Sequence, residues 1–246
     1  MCDTCGCGVS SQAVRRDGEV VKEVSKRQVA VLEGLLAAND HQAQHNREHF
    51  ASHGVVAVNL MSSPGSGKTT LLEATLDALS GECRMGVVAG DLETDNDARR
   101  LRRHGVQAVQ INTGNACHLD AELLHHALHE VPLQGLDLLF IENVGNLVCP
   151  AAYDLGQQVN VVLLSVVEGD DKPAKYPVMF RAADRVLLTK SDLLPYAAGF
   201  DPARAEASVR RLANPAPVIT LSALSGEGMG AWLDWLRHLL KQRPGV

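Results

Sequence analysis

The chain has 246 residues, of which 46% are hydrophobic and 21% are charged, which is the composition of a globular protein. Its formal charge is −6 and aromatic residues make up only 4%. This balance disfavours nucleic-acid binding, which needs a concentrated basic face or a platform of stacking rings. The N-terminus lacks the apolar run of a secretory signal, and no apolar stretch approaches the roughly 18–20 residues of a membrane span. We expect a cytoplasmic protein with no membrane partner, whose thiols stay reduced.

Three regions follow one another along the chain. Residues 1–24 show no hydrophobic periodicity and are predicted to be a flexible tail with three cysteines near its start. Residues 25–54 have the apolar spacing of a helix that stops at a glycine. Residues 55–246 alternate apolar β-branched runs with helical segments, which predicts an α/β domain with a mostly parallel sheet and helices on both faces. Its strands are predicted at 55–61, 85–89, 106–111, 136–141, 159–167, 185–189 and 218–221, and its helices at 69–79, 95–104, 120–130, 202–213 and 229–240.

The segment 62–70, Ser-Ser-Pro-Gly-Ser-Gly-Lys-Thr-Thr, lies between the first strand of this domain and its first helix. It fits the phosphate-binding pattern Gly-x-x-x-x-Gly-Lys-Ser/Thr, with Ser62 at the first glycine. The lysine would bridge the β- and γ-phosphates, and the first threonine would ligate Mg²⁺. The alternative is an ordinary Gly/Ser turn, but the flanking strand and helix favour a P-loop NTPase. The residues expected to contact nucleotide here are Gly65, Ser66, Gly67, Lys68, Thr69 and Thr70.

Two acids follow buried strands and fit the same site. Glu142 ends the strand 136–141 and Asp91 follows the strand 85–89. With Lys68 they are the expected catalytic residues, although Asp91 also suits a turn or helix cap. Glu142-Asn-Val-Gly resembles the Asp-x-x-Gly switch of GTPases, so the N–H of Gly145 would meet a γ-phosphate. Asn146 occupies the position of a water-orienting glutamine, which predicts slow intrinsic hydrolysis.

The base is predicted from two tetrapeptides. Thr189-Lys-Ser-Asp192 resembles the Asn-Lys-x-Asp guanine motif, in which the final carboxylate accepts from N1–H and the 2-amino group of guanine. Adenine would leave this carboxylate unpaired at a cost of about 1–3 kcal/mol, so GTP is favoured over ATP. Lys190 would lie over the base plane, and the loop with Ser222 and Ala223 resembles the Ser-Ala-x loop that meets guanine O6.

Two groups of residues have the composition of metal sites. Cys117 and His118 are adjacent, and Cys149 lies seven residues beyond Glu142. Two thiolates and one imidazole suit Zn²⁺ or Ni²⁺, with water or another subunit as a further ligand. Because Cys149 follows the switch segment directly, nucleotide state would alter metal affinity. From spacing alone, buried small cysteines and an unrelated surface histidine are an equally good interpretation.

The second group is in the tail. Cys2, Cys5 and Cys7 place three thiols within six residues and would chelate one soft or borderline cation, with the α-amino group as a possible fourth ligand. Chance cysteines or a redox Cys-x-x-Cys are the alternatives.

Histidines also recur at every fourth position in the helix 25–54. This row is interpreted as a solvated face, with secondary metal storage as the alternative. No role is assigned to Cys83, His104, His125, His126 and His129 beyond structure or exposure. The row itself is His41, His45, His49 and His53.

Together these motifs closely resemble the hydrogenase nickel-incorporation GTPase family HypB, of the SIMIBI class, over nearly the whole chain. The resemblance is carried by residues 2–7, 62–70, 90–95, 114–120, 142–150, 168–173 and 189–192. It implies GTP-dependent delivery of Ni²⁺ to the large subunit of [NiFe]-hydrogenase, a companion nickel-insertion protein and a nucleotide- or metal-linked homodimer. It also implies a high-affinity metal site at Cys2, Cys5 and Cys7 and a Zn²⁺/Ni²⁺ site at Cys117, His118 and Cys149. The related urease nickel GTPases share the core without the thiol cluster.

Two other function classes remain as alternatives. A non-catalytic nickel or zinc storage protein would use the cysteines and histidines without hydrolysing nucleotide. A small-molecule kinase is disfavoured, because residues 189–192 select guanine and no acceptor pocket is evident.

Overall fold

The computed structural model describes residues 13–16, 19–23, 26–91, 96–114 and 116–243, with side chains from residue 33 onward. Within the described part of the predicted tail, two short strands pair as an antiparallel ribbon. The strands are β1, Ala13–Arg16, and β2, Glu19–Glu23.

A seven-stranded sheet forms the centre of the domain, and each neighbouring pair of its strands is parallel. All seven predicted strands are confirmed, with each end within two residues of its predicted position. The five inner strands are mostly buried, so their sequences read as continuous apolar runs, whereas the two edge strands are partly exposed. In chain order they are β3 Val56–Ser62, β4 Met85–Asp91, β5 Gln107–Asn112, β6 Leu138–Glu142, β7 Val159–Ser165, β8 Arg185–Thr189 and β9 Val218–Thr220. In the sheet they follow the order β5-β4-β6-β3-β7-β8-β9.

Helices cover both faces of this sheet, as predicted. The helices are α1 Lys26–His53, α2 Lys68–Ala78, α3 Asn96–Arg102, α4 Ala121–Leu128, α5 Lys172–Lys175, α6 Pro177–Arg181, α7 Pro202–Arg211 and α8 Met229–Lys241. Leu72 of α2 and Trp232 of α8 pack with alternate residues of the central strands on one face. Phe50 of α1 and Leu124 of α4 pack on the opposite face. The short helices α5 and α6 were not predicted. None of the helices in the described ranges is long and apolar enough to cross a membrane.

The helix α1 is attached to the domain through buried amides. Asn46 is fully buried, and its Nδ2 donates to the carbonyl oxygens of Ala121 at 2.8 Å and Leu155 at 3.1 Å. About two turns earlier, Asn39 Oδ1 accepts from the backbone N–H of Ala121 at 2.9 Å. The helix predicted over 25–54 is observed at Lys26–His53. Its position on the domain is fixed by these amide hydrogen bonds, which its apolar sequence pattern does not indicate.

We predict that Asn46→Ala lowers the free energy of unfolding by about 2–4 kcal/mol, because it removes two buried hydrogen bonds, to the carbonyl oxygens of Ala121 and Leu155. Urea unfolding followed by circular dichroism measures the change. The control is Gln44→Ala on the exposed side of the same helix, which we expect to stay within about 0.5 kcal/mol of the parent. Equal midpoints for the two variants would contradict the anchoring role.

Candidate nucleotide and metal sites

The loop between β3 and α2 has the backbone of a phosphate-binding loop. Gly65 has φ 74° and Gly67 has φ 95°, a left-handed region that favours glycine. Helix α2 begins at Lys68, so its unpaired N–H groups and positive dipole end face the loop. The segment after β6 lies directly against this loop, because a Cβ added to Gly145 would come within 2.9 Å of the Pro64 Cα.

Lys68 is buried, and its Nζ donates to the Ser62 hydroxyl at 3.0 Å. Burial lowers the pKa of this ammonium, whereas the nearby Glu142 acts in the opposite direction. A positive charge held in a buried site, with few surrounding acceptors, is suited to anionic oxygens.

Glu142 is buried at the carboxyl end of β6, where its Oε1 accepts from the Thr69 hydroxyl at 2.8 Å. Its Oε2 is also buried and has no hydrogen-bond partner among the described residues. Burial raises the pKa of this carboxyl to about 7, although Lys68 and Thr69 partly oppose the shift. An orphaned carboxylate oxygen beside a threonine hydroxyl fits a hard divalent cation such as Mg²⁺. Asp91, at the end of β4, lies with Glu142 in the wall of one cavity.

This cavity measures about 450 Å³ and brings the predicted phosphate and Mg²⁺ residues together. It also contains Asp97 and Arg100, to which the sequence analysis assigned no role. Arg100 pairs with Glu73, at 2.6 Å and 3.0 Å between guanidinium nitrogens and carboxylate oxygens. Asp97 and Arg100 are three residues apart in α3, and such a spacing of opposite charges is common on solvent-exposed helix faces. The sequence therefore did not indicate that they line a cavity.

A second cavity, of about 360 Å³, adjoins the other side of the loop. The sequence-predicted base residues meet here: Asp192 accepts a hydrogen bond from the Ser222 hydroxyl. Leu221 joins the two tetrapeptides, because its N–H donates to Leu188 O at 2.9 Å and its carbonyl accepts from Ser191 N at 3.1 Å. The residues around the cavity are Ser66, Gly67, Thr70, Leu71, Thr189, Lys190, Asp192, Leu193, Leu221, Ser222, Ala223 and Leu224.

The predicted base and phosphate segments are hydrogen-bonded to each other. Thr189 Oγ1 donates to Ser66 O at 2.7 Å, and Lys190 Nζ donates to Gly65 O at 2.6 Å. Glu168, which had no assigned role, accepts from the Ser66 hydroxyl at 2.6 Å. The sequence signal for Glu168 was its place in the segment 168–173, just beyond β7.

Cys117, His118 and Cys149 form the second site. Their possible ligand atoms all lie within 4.8 Å of one another, and no other such group of three occurs in the described part of the chain. The Sγ atoms of the two cysteines are 2.8 Å apart, and Cys117 Sγ lies 3.8 Å from His118 Nδ1. The buried imidazole stacks on Tyr153 with ring centroids 3.8 Å apart. Burial lowers the pKa of His118, which favours the neutral form that ligates metals.

The segment after β6 links the two sites. Asn146 Nδ2 donates to Cys117 O at 3.3 Å, and Asn143 Oδ1 accepts from Leu119 N at 3.2 Å. The loop after β5 is joined to the phosphate side as well, because Thr113 N donates to the carbonyl oxygen of Asp91 at 2.9 Å. A displacement of residues 143–146 would therefore reach the backbone on both sides of His118.

The remaining cysteines have different outcomes. Cys2, Cys5 and Cys7 lie outside the described residues, so the structure does not test their predicted metal site. Cys83 packs against the core, and burial, with a smaller effect of Asp137, raises the pKa of its thiol to about 11. This agrees with the structural role given to Cys83.

Comparison with known proteins identifies the family. The chain matches the CobW/HypB/UreG nucleotide-binding domain over residues 56–220. It is 52% identical to the hydrogenase maturation factor HypB of Azotobacter chroococcum mcd 1 over 214 residues, which cover 86% of this chain and 69% of that protein. The chain belongs to the HypB family. The crystal structure of HypB from Helicobacter pylori in complex with nickel matches with a TM-score of 0.79 and 40% identity, over 85% of this chain and 99% of that one. HypB from Archaeoglobus fulgidus gives a TM-score of 0.78 and 42% identity, over 83% and 100%.

A pH dependence follows from the buried carboxyl of this HypB-family domain. In metal- and nucleotide-free protein, the Glu142 pKa of about 7 exceeds its ordinary value of 4.5, so the folded state holds the proton more tightly than the unfolded state. The stability that Glu142 contributes is therefore present below pH 4.5 and is lost as pH rises through 7, by on the order of 3 kcal/mol. We expect Glu142→Gln to be more stable than the parent above pH 7 and to converge with it towards pH 4.5.

Urea unfolding in the presence of a chelator, between pH 5 and 8.5, measures this difference. Glu130→Gln, an exposed acid in the same protein, is the control and should show no comparable trend. A stability difference between Glu142→Gln and the parent that does not vary with pH would contradict the buried, raised pKa.

Proposed function

We propose that this protein is a Mg²⁺-dependent GTPase that acts as a nickel metallochaperone for [NiFe]-hydrogenase maturation. The observation that carries the proposal is the hydrogen-bonded segment 143–146, which lies against the phosphate loop and contacts the backbone at Cys117 and Leu119. Nucleotide and metal sites joined by one short segment are what nucleotide-gated release of a metal requires.

The phosphate side is assigned from its donors. The N–H groups of the loop and the start of α2 would hold the β-phosphate, and Lys68 would exchange its bond with Ser62 for the β- and γ-phosphate oxygens. Thr69, Asp91 and Glu142 would hold Mg²⁺, which supplies charge neutralisation to the phosphates when bound. Gly145 would present its N–H to the γ-phosphate.

Hydrolysis is proposed to be slow. The amide of Asn146 donates to Cys117 O at 3.3 Å, so it is engaged with the metal loop and not available to orient water. Unassisted switch GTPases turn over at roughly 10⁻⁴ to 10⁻² s⁻¹. A rate in that range suits a timer better than a metabolic hydrolase.

The metal cargo is proposed to be Ni²⁺, with Zn²⁺ as a competitor at Cys117, His118 and Cys149, because thiolate and imidazole suit both ions. Water or a second copy of the chain would supply the fourth ligand, which would make a homodimer metal- or nucleotide-linked. The nickel complex of the Helicobacter pylori relative and the hydrogenase maturation role of the Azotobacter relative support this choice. The proposed cytoplasmic partners are the hydrogenase large subunit and a companion nickel-insertion protein. The proposed tight-binding metal site is formed by the tail thiols of Cys2, Cys5 and Cys7.

A metal storage protein is the second candidate, favoured by the number of cysteines and histidines alone. It has no need of a guanine-selective cavity or of contacts between the metal loop and a phosphate loop. Storage and delivery therefore differ in one measurable property, which is whether nucleotide changes metal affinity.

The base assignment predicts a switch of specificity. Asp192→Asn should lower kcat/KM for GTP by about 5- to 150-fold, equivalent to the 1–3 kcal/mol of a lost or unpaired buried hydrogen bond. The same variant should gain activity with xanthosine triphosphate, because the Asn amide can donate to the C2 carbonyl of xanthine. Steady-state phosphate release with both nucleotides tests this. If the variant keeps the parent's preference for GTP, Asp192 does not read the base.

The coupling predicts that a non-hydrolysable GTP analogue changes the Ni²⁺ affinity of the Cys117 site by about 5- to 150-fold, and that Ni²⁺ changes analogue affinity by the same factor. Isothermal titration of the full chain measures both. Cys149→Ser should remove this coupled site, whereas Cys83→Ser is the matched thiol control and should keep it. Asn146→Ala should retain both ligands but reduce the coupling factor. Equal Ni²⁺ affinity with and without the analogue would support storage instead.

A further inference from the structure

Seven of the ten histidines lie on α1 or on α4 and its C-terminal residue. The two helices pack against each other. Three pairs at four-residue spacing have ring contacts, with centroids 4.8 Å apart for His41 and His45, 4.9 Å for His49 and His53 and 5.1 Å for His125 and His129.

The pairs also approach each other across the helix interface. His49 interacts electrostatically with its helix neighbour His53 and with His125 and His129 of the other helix. His125 interacts in turn with His129 and with His45. Helix α1 packs on α4, His125 Nδ1 lies 3.1 Å from Asn46 Oδ1 of α1, and each pair is in ring contact, so His49, His53, His125 and His129 lie in one partly exposed patch.

Hydrogen bonds fix the tautomer of two of these rings. Asn46 donates through Nδ2 to two carbonyl oxygens, so its Oδ1 is an acceptor, and His125 Nδ1 must donate to it at 3.1 Å. His53 Nδ1 donates to the carbonyl oxygen of His49 at 2.9 Å. In both neutral rings the Nε2 lone pair is therefore directed away from the backbone and is available to a ligand. An imidazole whose other nitrogen donates to an amide or carbonyl oxygen is the usual arrangement of a metal-ligating histidine.

The protonation state of His49 and His125 also suits metal binding. Burial is the largest cause that lowers the pKa of both His49 and His125, and the neighbouring imidazoles lower it further. The neutral form of these two rings is therefore favoured, and only a neutral ring can donate its lone pair to a cation.

We propose that His49, His53, His125 and His129 bind a divalent transition-metal ion of the nickel, copper and zinc class between α1 and α4. Within the described ranges the Cys117 group alone already has three ligand atoms within 4.8 Å, so the imidazoles must rotate on their exposed side to converge. The ion is bound more weakly than at the thiolate site, because rotation costs side-chain entropy and thiolates are the softer, stronger donors.

The position of this histidine site relates it to the Cys117 centre. Helix α4 has eight residues, so it spans about 12 Å, and its N-cap, Asp120, lies two positions after His118. A cavity of about 480 Å³ lies beside that N-terminus, and its lining includes His41, His118, Asp120 and Glu122. Imidazole and carboxylate groups therefore continue from the histidine row to the buried imidazole of the thiolate centre.

Zn²⁺ titration of the full chain labelled with ¹⁵N-histidine tests the proposal. After the thiolate sites are filled, a further ion should shift the Nε2 resonances of His49, His53, His125 and His129. Equilibrium dialysis with Ni²⁺ should give one ion fewer for the variant in which all four are replaced by Gln. The double variants His49→Gln/His53→Gln and His125→Gln/His129→Gln should each weaken that ion by at least about tenfold.

The matched control is His41→Gln with His126→Gln, which removes one exposed imidazole from each helix and leaves the four in place. We expect its affinity to stay within threefold of the parent. Equal weakening by the control, or no effect of the α4 pair, would overturn the two-helix site in favour of independent pairs or of no binding. GTP hydrolysis is not read out, so this result stands apart from the proposed GTPase.

Discussion

The parallel register of the central strands is the constraint on which both sites depend. Glu142 at the end of β6 is aligned with Leu60 of β3 and with Ala89 of β4. The phosphate loop, Asp91 and Glu142 must consequently emerge at one edge of the sheet, because parallel strands direct their carboxyl ends the same way. The hydrophobic strands thus do more than form a core: their alignment sets how far a buried carboxylate stands from Thr69, and its unsatisfied oxygen is a consequence of that fixed distance.

From this edge the chain reaches the metal site in only a few residues. Gly145 has no room for a side chain beside Pro64, so the segment after β6 packs closely against the phosphate loop. Asn143 and Asn146 then carry that position to the loop with Cys117 and His118. A two-state element in contact with both sites is the physical requirement for coupling, and the close packing of this segment makes it the candidate.

The strands of the sheet and the phosphate loop could be predicted from the sequence, because each has a local pattern. The group of Cys117, His118 and Cys149 could be suggested because cysteine and histidine are scarce in the chain. The sequence was insufficient for contacts between distant segments. Nothing in the spacing of Glu168 indicates a bond to Ser66, and the amides of Asn143 and Asn146 look like any loop asparagines. The sequence likewise did not indicate that the histidines of α4 lie beside those of α1, because the two helices are far apart along the chain.

Asn46 has a consequence for how fast metal ions exchange. One amide group holds Ala121, three residues after His118, and Leu155, six residues after Cys149. The two segments that carry the candidate ligands are therefore brought together when the chain folds. The conformational entropy of ordering them is lost on folding, so it does not reduce the free energy of metal binding. Under the proposed function, capture would then need only side-chain adjustment, so its rate would be set by desolvation of the ion and not by rearrangement of the backbone. Release, in contrast, would be limited by the segment next to the phosphate loop.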